Sequence, residues 1–136
     1  MILADTSAWV EYDRSTDSAV DRRLTELIRD EGPLAVTEPV LMEVMAGARD
    51  DQRARDLRRL LLRCDLLAFD TAADFDAAAR IYRQCRRDGV TPRRMVDCLI
   101  ASVARRHDAT LLAQDADLSR IAQVVGIELD QASPTA

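Results

Sequence analysis

The stretch MILADTSAWV, residues 1 to 10, decides the fold expected for this chain. Its first four residues form a short apolar run, which predicts a buried strand. Asp5 follows that run directly, and the hydroxyl residues Thr6 and Ser7 come next. An acid at the end of such a strand indicates a site at the carboxyl edge of a parallel sheet, where open α/β folds bind their ligands.

Outward from this stretch, apolar runs alternate with helical patterns along the chain. Further strands are predicted at LAV (34–36), LLAF (66–69), TLLA (110–113) and IEL (127–129). Helices are predicted over residues 16–30, 38–48, 53–64, 71–87, 95–107 and 117–125, with Thr71 and Asp74 as the capping box of the fourth. This alternation predicts a three-layer α/β/α sandwich around a central, mainly parallel sheet of about five strands.

The chain is expected to form one domain over residues 1–130, followed by a disordered tail, QASPTA, at 131–136. No apolar run approaches the roughly 18 residues that a membrane span needs. The first ten residues lack the charged leader and long apolar core of a signal peptide. We therefore expect a cytoplasmic protein.

Composition excludes several kinds of chemistry. All 19 cationic side chains are arginine, so a mechanism that needs a catalytic lysine is excluded. The single histidine, His107, argues against Ser-His-Asp catalysis and against sites with several histidine ligands. Three widely spaced cysteines indicate neither a disulfide framework nor a zinc site. The formal net charge of -5 argues against nucleic-acid binding by bulk electrostatics alone.

Carboxylates are the remaining candidates for chemistry. Asp5, Asp115 and Asp117 follow predicted strands. Glu43 lies within the apolar helix PVLMEVMAG, where an unpaired buried charge would be costly. Asp97 stands among apolar residues in the first turn of the next-to-last predicted helix. We expect the two helical acids and the strand-end acids to converge.

Each acid also has a purely structural explanation as a helix cap or as a partner of the helix dipole. That explanation does not cover Glu43 in mid-helix. Each pair of ionised carboxylates about 4 Å apart would repel by roughly 4 kcal/mol at an effective dielectric near 20. Mg²⁺ or Mn²⁺ would remove that repulsion. With no lysine and no phosphate-binding glycine loop, the simplest reaction is metal-assisted attack of water on a phosphodiester, in which one metal activates the water and a second neutralises the phosphate.

Two other α/β families with acidic strand-end sites fit less well. Haloacid-dehalogenase-type phosphatases need a second aspartate two residues after the first, where this chain has Ser7. Receiver domains need adjacent acids after the first strand. Both normally use a lysine, which this chain lacks.

Four motifs together resemble the PIN-domain family and, within it, the VapC-type toxins of toxin-antitoxin pairs. They are MILADTSAWVEY (1–12), PVLMEVMAG (39–47), VDCLIASVA (96–104) and LLAQDADL (111–118), and the resemblance runs from Met1 to about Leu129. It implies a PIN-like fold and a Mg²⁺- or Mn²⁺-dependent endoribonuclease with one or two ions per site. Such an enzyme would cut tRNA, rRNA or mRNA, inhibit translation, and be neutralised by a cognate VapB-like antitoxin. A homodimer is also implied, with a heterotetramer or larger assembly when the antitoxin is bound.

By position, the resemblance assigns the catalytic and metal-binding roles to the quartet Asp5, Glu43, Asp97 and Asp115, with Asp117 as a fifth ligand. It implies that Ser7, or less favourably Thr6, supports a metal-bound water or a ligand carboxylate. The chain departs from the family pattern at Ala113, where many members carry a threonine. That departure affects a secondary polar contact only.

Several roles stay open at the level of sequence. Arg93 and Arg94 stand close before Asp97 and are candidate RNA contacts, although a solvated surface explains them equally well. Trp9 and Tyr12 suit core or dimer packing better than base stacking. Two alternatives to a toxin remain: a non-catalytic module whose acidic groove holds a basic peptide, and a PIN nuclease that acts in RNA processing.

Overall fold

The computed structural model describes residues 1–135, and four short parallel strands form its central sheet. The strands are β1 (Ile2–Ala4), β2 (Leu34–Val36), β3 (Asp65–Leu66) and β4 (Thr110–Leu112). Their order is β3-β2-β1-β4, with Leu3 in register with Ala35 on one side and Leu111 on the other. The predicted α/β sandwich with a parallel sheet is confirmed.

Seven helices flank this sheet in the described part of the chain. They are α1 (Thr6–Asp13), α2 (Ala19–Arg29), α3 (Glu38–Ala46), α4 (Asp51–Leu61), α5 (Thr71–Arg87), α6 (Met95–Arg106) and α7 (Ala116–Val125). The chain moves from β1 through β2 to β3 in one direction and then crosses back to β4. Because parallel crossovers are right-handed, α1 to α4 cover one face and α5 and α6 cover the other. Helix α7 packs on α5 and α6.

The predicted count of five strands is wrong, because the fifth is reduced to a single parallel bridge between Leu111 and Leu129. The Leu111 amide donates to Glu128 O, and the Asp130 amide donates to Leu111 O. The Asp130 side chain then accepts the Ala132 amide at 3.0 Å. That turn ends the pairing after one step.

The sequence prediction is wrong about the cap of α5 and about the start of α2. Asp70, not Thr71, caps α5, because its carboxylate accepts the amides of Ala72 and Ala73, at 2.9 and 2.8 Å. The Asp74 carboxylate reciprocates by accepting the Asp70 amide at 2.8 Å, so the capping box begins one residue earlier. The helix predicted over 16–30 starts at Ala19, because Ser18 provides its cap.

The described residues of the carboxyl-terminal segment, 131–135, lie against the end of β4 and the start of α7. Ser133 is buried, and its hydroxyl accepts the Ala113 amide at 3.1 Å. The Ser119 hydroxyl donates to Pro134 O at 3.1 Å. The predicted tail also includes Ala136, which lies outside the described residues.

The buried apolar side chains form one core on both faces of the sheet. All three residues of β1 are buried, as are the large side chains of Trp9, Leu24 and Ile100. In residues 1–135 we find no helix with both the length and the apolar character of a membrane span. The chain changes direction across the sheet between β1 and β4, so ligands are expected where these two strands end.

Candidate metal centre

Asp5 lies at the carboxyl end of β1 and is the amino-terminal cap of α1. Its Oδ2 atom accepts the Ser7 amide at 3.1 Å and the Ser7 hydroxyl at 2.7 Å. Its Oδ1 atom is buried and has no hydrogen-bond partner among the described residues. Burial raises the pKa of Asp5, against the bonds from Ser7, and the charge of Glu43 raises it further. The side chain thus presents an unsatisfied oxygen to the strand ends.

The Ser7 hydroxyl joins the two strand ends. It donates its one proton to Asp5 and accepts the amides of Gln114 at 2.9 Å and Asp115 at 3.2 Å. The segment after β4 is therefore fixed to the segment after β1 by one side chain. The resemblance assigned Ser7 to the support of a ligand carboxylate, and the structure places it in contact with Asp5.

Glu43 reaches the same edge from α3. Its Oε1 atom accepts the Thr6 hydroxyl at 2.6 Å, and its side chain is 16% exposed. This contact crosses 37 positions of sequence and was not predicted, although a lone acid in an apolar helix does signal that a polar partner must exist. Thr6, proposed as an alternative to Ser7, therefore contacts a different acid of the quartet.

Asp97 lies in the first turn of α6 and is fully buried. Burial first, and then the charges of Asp5 and Asp115, raise its pKa to about 7, although Arg94 acts in the opposite direction. Its Oδ2 atom is the second buried carboxylate oxygen without a partner in residues 1–135. Asp97 is thus poised between its neutral and charged forms near neutral pH.

Asp115 follows β4 and caps α7, because its Oδ1 atom accepts the Asp117 amide at 2.9 Å. Asp117 itself is held by two arginines, with Arg93 Nε at 3.3 Å and Arg120 Nη1 at 3.0 Å. The structure thus brings four of the predicted acids to one edge of the sheet. The fifth, Asp117, forms ion pairs at its margin.

Arg94 does not flank the acidic cluster but contacts three of its carboxylates directly. Its Nη1 atom is 3.1 Å from Glu43 Oε2, and its Nη2 atom is 2.9 Å from Asp97 Oδ1 and 4.0 Å from Asp115 Oδ2. In this conformation no three acidic, histidine or cysteine side chains of the described chain are arranged to hold a metal ion. The guanidinium lies among three of the carboxylates that a compact ion would draw together.

The residues nevertheless fit a hard divalent cation. The donor set contains only carboxylate and hydroxyl oxygens, which Mg²⁺ and Mn²⁺ prefer. Two of its oxygens, Asp5 Oδ1 and Asp97 Oδ2, are buried without partners. Buried oxygens of this kind are rare unless a ligand satisfies them. The opening beside them is a shallow groove of about 290 Å³, lined in part by Thr6, Ser7 and Arg94.

A larger cavity of about 450 Å³ lies elsewhere, between residues such as Leu27, Gly32 and Leu60. It contains none of the acids of the quartet. We place the site at the smaller groove, because Asp115 lines it together with the residues that bond the other three acids. Trp9 is fully buried and packs edge-on against Tyr12, with ring centroids 5.9 Å apart, so it serves the core.

The fold and the acidic cluster at the ends of β1 and β4 define a known class of protein. The model of the PIN domain family matches residues 2–124, and the chain belongs to that family.

Sequence relatives show which branch of the PIN family the chain belongs to. Ribonuclease VapC11 of Mycobacterium tuberculosis is 45% identical over 129 residues, which cover 94% of this chain and 96% of that protein. The chain is a VapC-type member of the PIN family, and the predicted family and ribonuclease class are confirmed.

Solved structures show the same fold at lower identity. VapBC2 from Rickettsia felis, bound to a DNA fragment from its promoter, matches with a TM-score of 0.73 at 19% identity, covering 96% of this chain and 98% of that one. VapC20 of Mycobacterium tuberculosis, a Sarcin-Ricin loop cleaving toxin, matches with a TM-score of 0.61 at 20% identity, covering 88% and 93%.

Proposed function

We propose that this chain is the toxin of a type II toxin-antitoxin system, a Mg²⁺- or Mn²⁺-dependent endoribonuclease that acts in the cytoplasm. The observation that carries the proposal is the convergence of Asp5, Glu43, Asp97 and Asp115 at one edge of the sheet, with two buried carboxylate oxygens unsatisfied. Sequence relatives named as VapC ribonucleases support the reaction class.

Each acid is assigned a part in holding the cation. Asp5 and Asp97 are the principal ligands, because their buried oxygens lack other partners. Thr6 orients Glu43, and Ser7 fixes both Asp5 and the start of the Asp115 segment. Asp117 becomes a ligand only if its ion pairs open. When bound, one or two divalent ions would lower the pKa of a water molecule and offset charge on the phosphate.

The protein residues then have tasks of their own. The carboxylates would orient the attacking water. The buried Asp97 side chain is deprotonated above about pH 7, so the charged form of the site is favoured at neutral to alkaline pH. Arg93, whose side chain is 80% exposed, is the proposed contact for RNA phosphates.

We further propose that the substrate is a tRNA, rRNA or mRNA, that its cleavage inhibits translation, and that a cognate VapB-like antitoxin neutralises the enzyme. The acids already bind the guanidinium of Arg94, which supports the proposal that a basic side chain of such a partner binds there. The Rickettsia felis neighbour was solved as a VapBC2 complex. A homodimer, or a heterotetramer or larger assembly with antitoxin, is the proposed assembly.

The contact between Arg94 and the acids also supports one alternative, a binding module that holds a basic peptide without cleaving RNA. The decisive experiment incubates the purified full chain and a mixture of cellular RNAs with Mg²⁺ or with EDTA. We expect cleavage that needs the metal, and a loss of at least about a hundredfold in Asp5→Asn and in Asp97→Asn. Asp88→Asn, an exposed acid at the end of α5, is the matched control and should cleave normally.

Equal cleavage by wild type and Asp5→Asn would overturn the proposal. Peptide binding without any metal-dependent cleavage would favour the binding module. A nuclease of RNA processing shares the chemistry, and the neighbouring gene separates it from a toxin. A short upstream reading frame with a DNA-binding amino terminus is expected beside a toxin.

A further inference from the structure

The Arg94 guanidinium makes all of its ion-pair contacts within the acidic groove. It bonds Glu43 from α3 and Asp97 from α6, and it approaches Asp115 at the start of α7. Arg94 is also the amino-terminal cap residue of α6, but its side chain makes no capping bond. The charge of the acids, not a bond to the backbone, therefore holds this side chain in place.

A divalent ion and this guanidinium would use the same carboxylate groups. Arg94 bonds Glu43 Oε2 and Asp97 Oδ1, one oxygen of each carboxylate. An ion bound to Asp97 would share that carboxylate with the guanidinium, and two cations so close together repel each other strongly. The guanidinium also leaves Asp5 Oδ1 and Asp97 Oδ2 without partners, so it neutralises the site only in part.

Arg94 can leave the groove without disturbing the core. Its side chain is 49% exposed, and the neighbouring Arg93 side chain is 80% exposed. Burial acts to lower the pKa of Arg94, but Asp97 and Glu43 outweigh it and raise that pKa, so the side chain remains a cation wherever it lies. Rotation about its own side-chain bonds would move this charge from the acids to the rim of the groove.

We propose that Arg94 is a built-in counter-ion that fills the metal position in the metal-free protein and is displaced when the metal binds. The inference rests on the proposed metal-dependent function. Arg94 then has two effects. It relieves repulsion among the acids when no metal is present, and it lowers the apparent affinity for metal because its contacts must first be broken.

Calorimetric titration of the EDTA-stripped full chain with Mn²⁺ alone tests the competition. Each half-exposed ion pair is worth up to a factor of about five in an equilibrium constant, so Arg94→Gln should bind Mn²⁺ about tenfold more tightly than wild type. Its melting temperature in EDTA should fall, and Mn²⁺ should raise it by more than in wild type. Arg87→Gln makes the same change in net charge at an exposed position with no acidic partner among the described residues, and should match wild type.

Equal or weaker binding of Mn²⁺ by Arg94→Gln would overturn the inference, because Arg94 would then be neutral toward the metal or would support it. A wild-type chain that binds no Mn²⁺ would instead contradict the proposed function. The two failures are therefore distinguishable.

A second measurement needs no destabilising variant. In protein labelled with ¹⁵N-arginine, the side-chain signal missing from Arg94→Lys identifies Arg94. We expect that signal to change from a restrained to a freely rotating guanidinium as Mg²⁺ saturates the site. An Arg94 signal that stays restrained at saturating Mg²⁺ would refute the displacement.

Discussion

Replacing Ser7 by alanine tests whether one hydroxyl holds the two halves of the site together. The substitution removes a hydrogen bond to the Asp5 carboxylate and the acceptor for the amides of Gln114 and Asp115. A hydrogen bond to a charged group contributes about 1.5 to 3 kcal/mol, and each neutral one about 1 kcal/mol. Water reaches this partly buried position and replaces some of these bonds, so we expect a net loss of about 2 kcal/mol.

Urea denaturation followed by circular dichroism, in EDTA at pH 7.5, measures this loss. For a chain of this size 2 kcal/mol corresponds to a fall in melting temperature of roughly 6 to 8 °C. Mn²⁺ should also bind more weakly, because Asp115 is no longer fixed relative to Asp5. Loss of the Ser7 bonds raises the pKa of Asp5 further, so the weakening should be greatest at low pH.

Ser18→Ala is the matched control. The Ser18 hydroxyl also accepts a backbone amide, that of Asp21 at 3.1 Å, but both residues belong to the start of α2. It should destabilise by about 1 kcal/mol and leave Mn²⁺ binding unchanged. If Ser7→Ala has no larger effect than this control on either quantity, the hydroxyl does not join the strand ends as argued.

Three further perturbations have defined outcomes. In EDTA, Asp97→Asn should raise the melting temperature above pH 7, and this gain should vanish towards pH 4. The reason is that the free-energy cost of burying the charged wild-type carboxylate grows as pH rises from 3.8 to about 7. A gain in melting temperature that does not depend on pH would contradict this explanation. Arg106→Gln should lower the free energy of unfolding by about 3 kcal/mol in urea, because it leaves the buried Asp74 without its 2.7 Å partner; a loss below about 1 kcal/mol would count against this account. Ser133→Ala should destabilise by about 1 to 2 kcal/mol through the unpaired Ala113 amide, and an unchanged thermal melt would mean that the carboxyl-terminal segment is not held there.

The site residues that follow strands could be predicted from the sequence. Asp5 comes directly after an apolar run and Asp115 one residue after another, and parallel strands place their carboxyl ends at one edge. Glu43 was accessible for another reason, since an acid within an apolar helix needs a partner. These signals are local in the sequence, and the fold brings the three acids close together.

Contacts between segments that are distant in the sequence could not be predicted from such local patterns. Arg94 and Asp97 are three residues apart, yet the bond from Arg94 to Glu43 spans 51 positions. The five-strand prediction failed for a similar reason, because the IEL segment is apolar enough for a strand but the turn at Asp130 stops its pairing. Ser133 is a polar residue near the end of the chain, and only the position of the Ala113 amide explains its burial.

The order of the strands also determines when the enzyme can exist during its own synthesis. β1 leaves the ribosome well before one of its two neighbours, β4, which begins only at Thr110. Contacts so distant in sequence form late, because the intervening loop must first be closed. Asp5 and Asp115 therefore come together only after the segment that contains Asp115 has been synthesised. A nascent chain that has not reached this segment has no assembled acidic cluster.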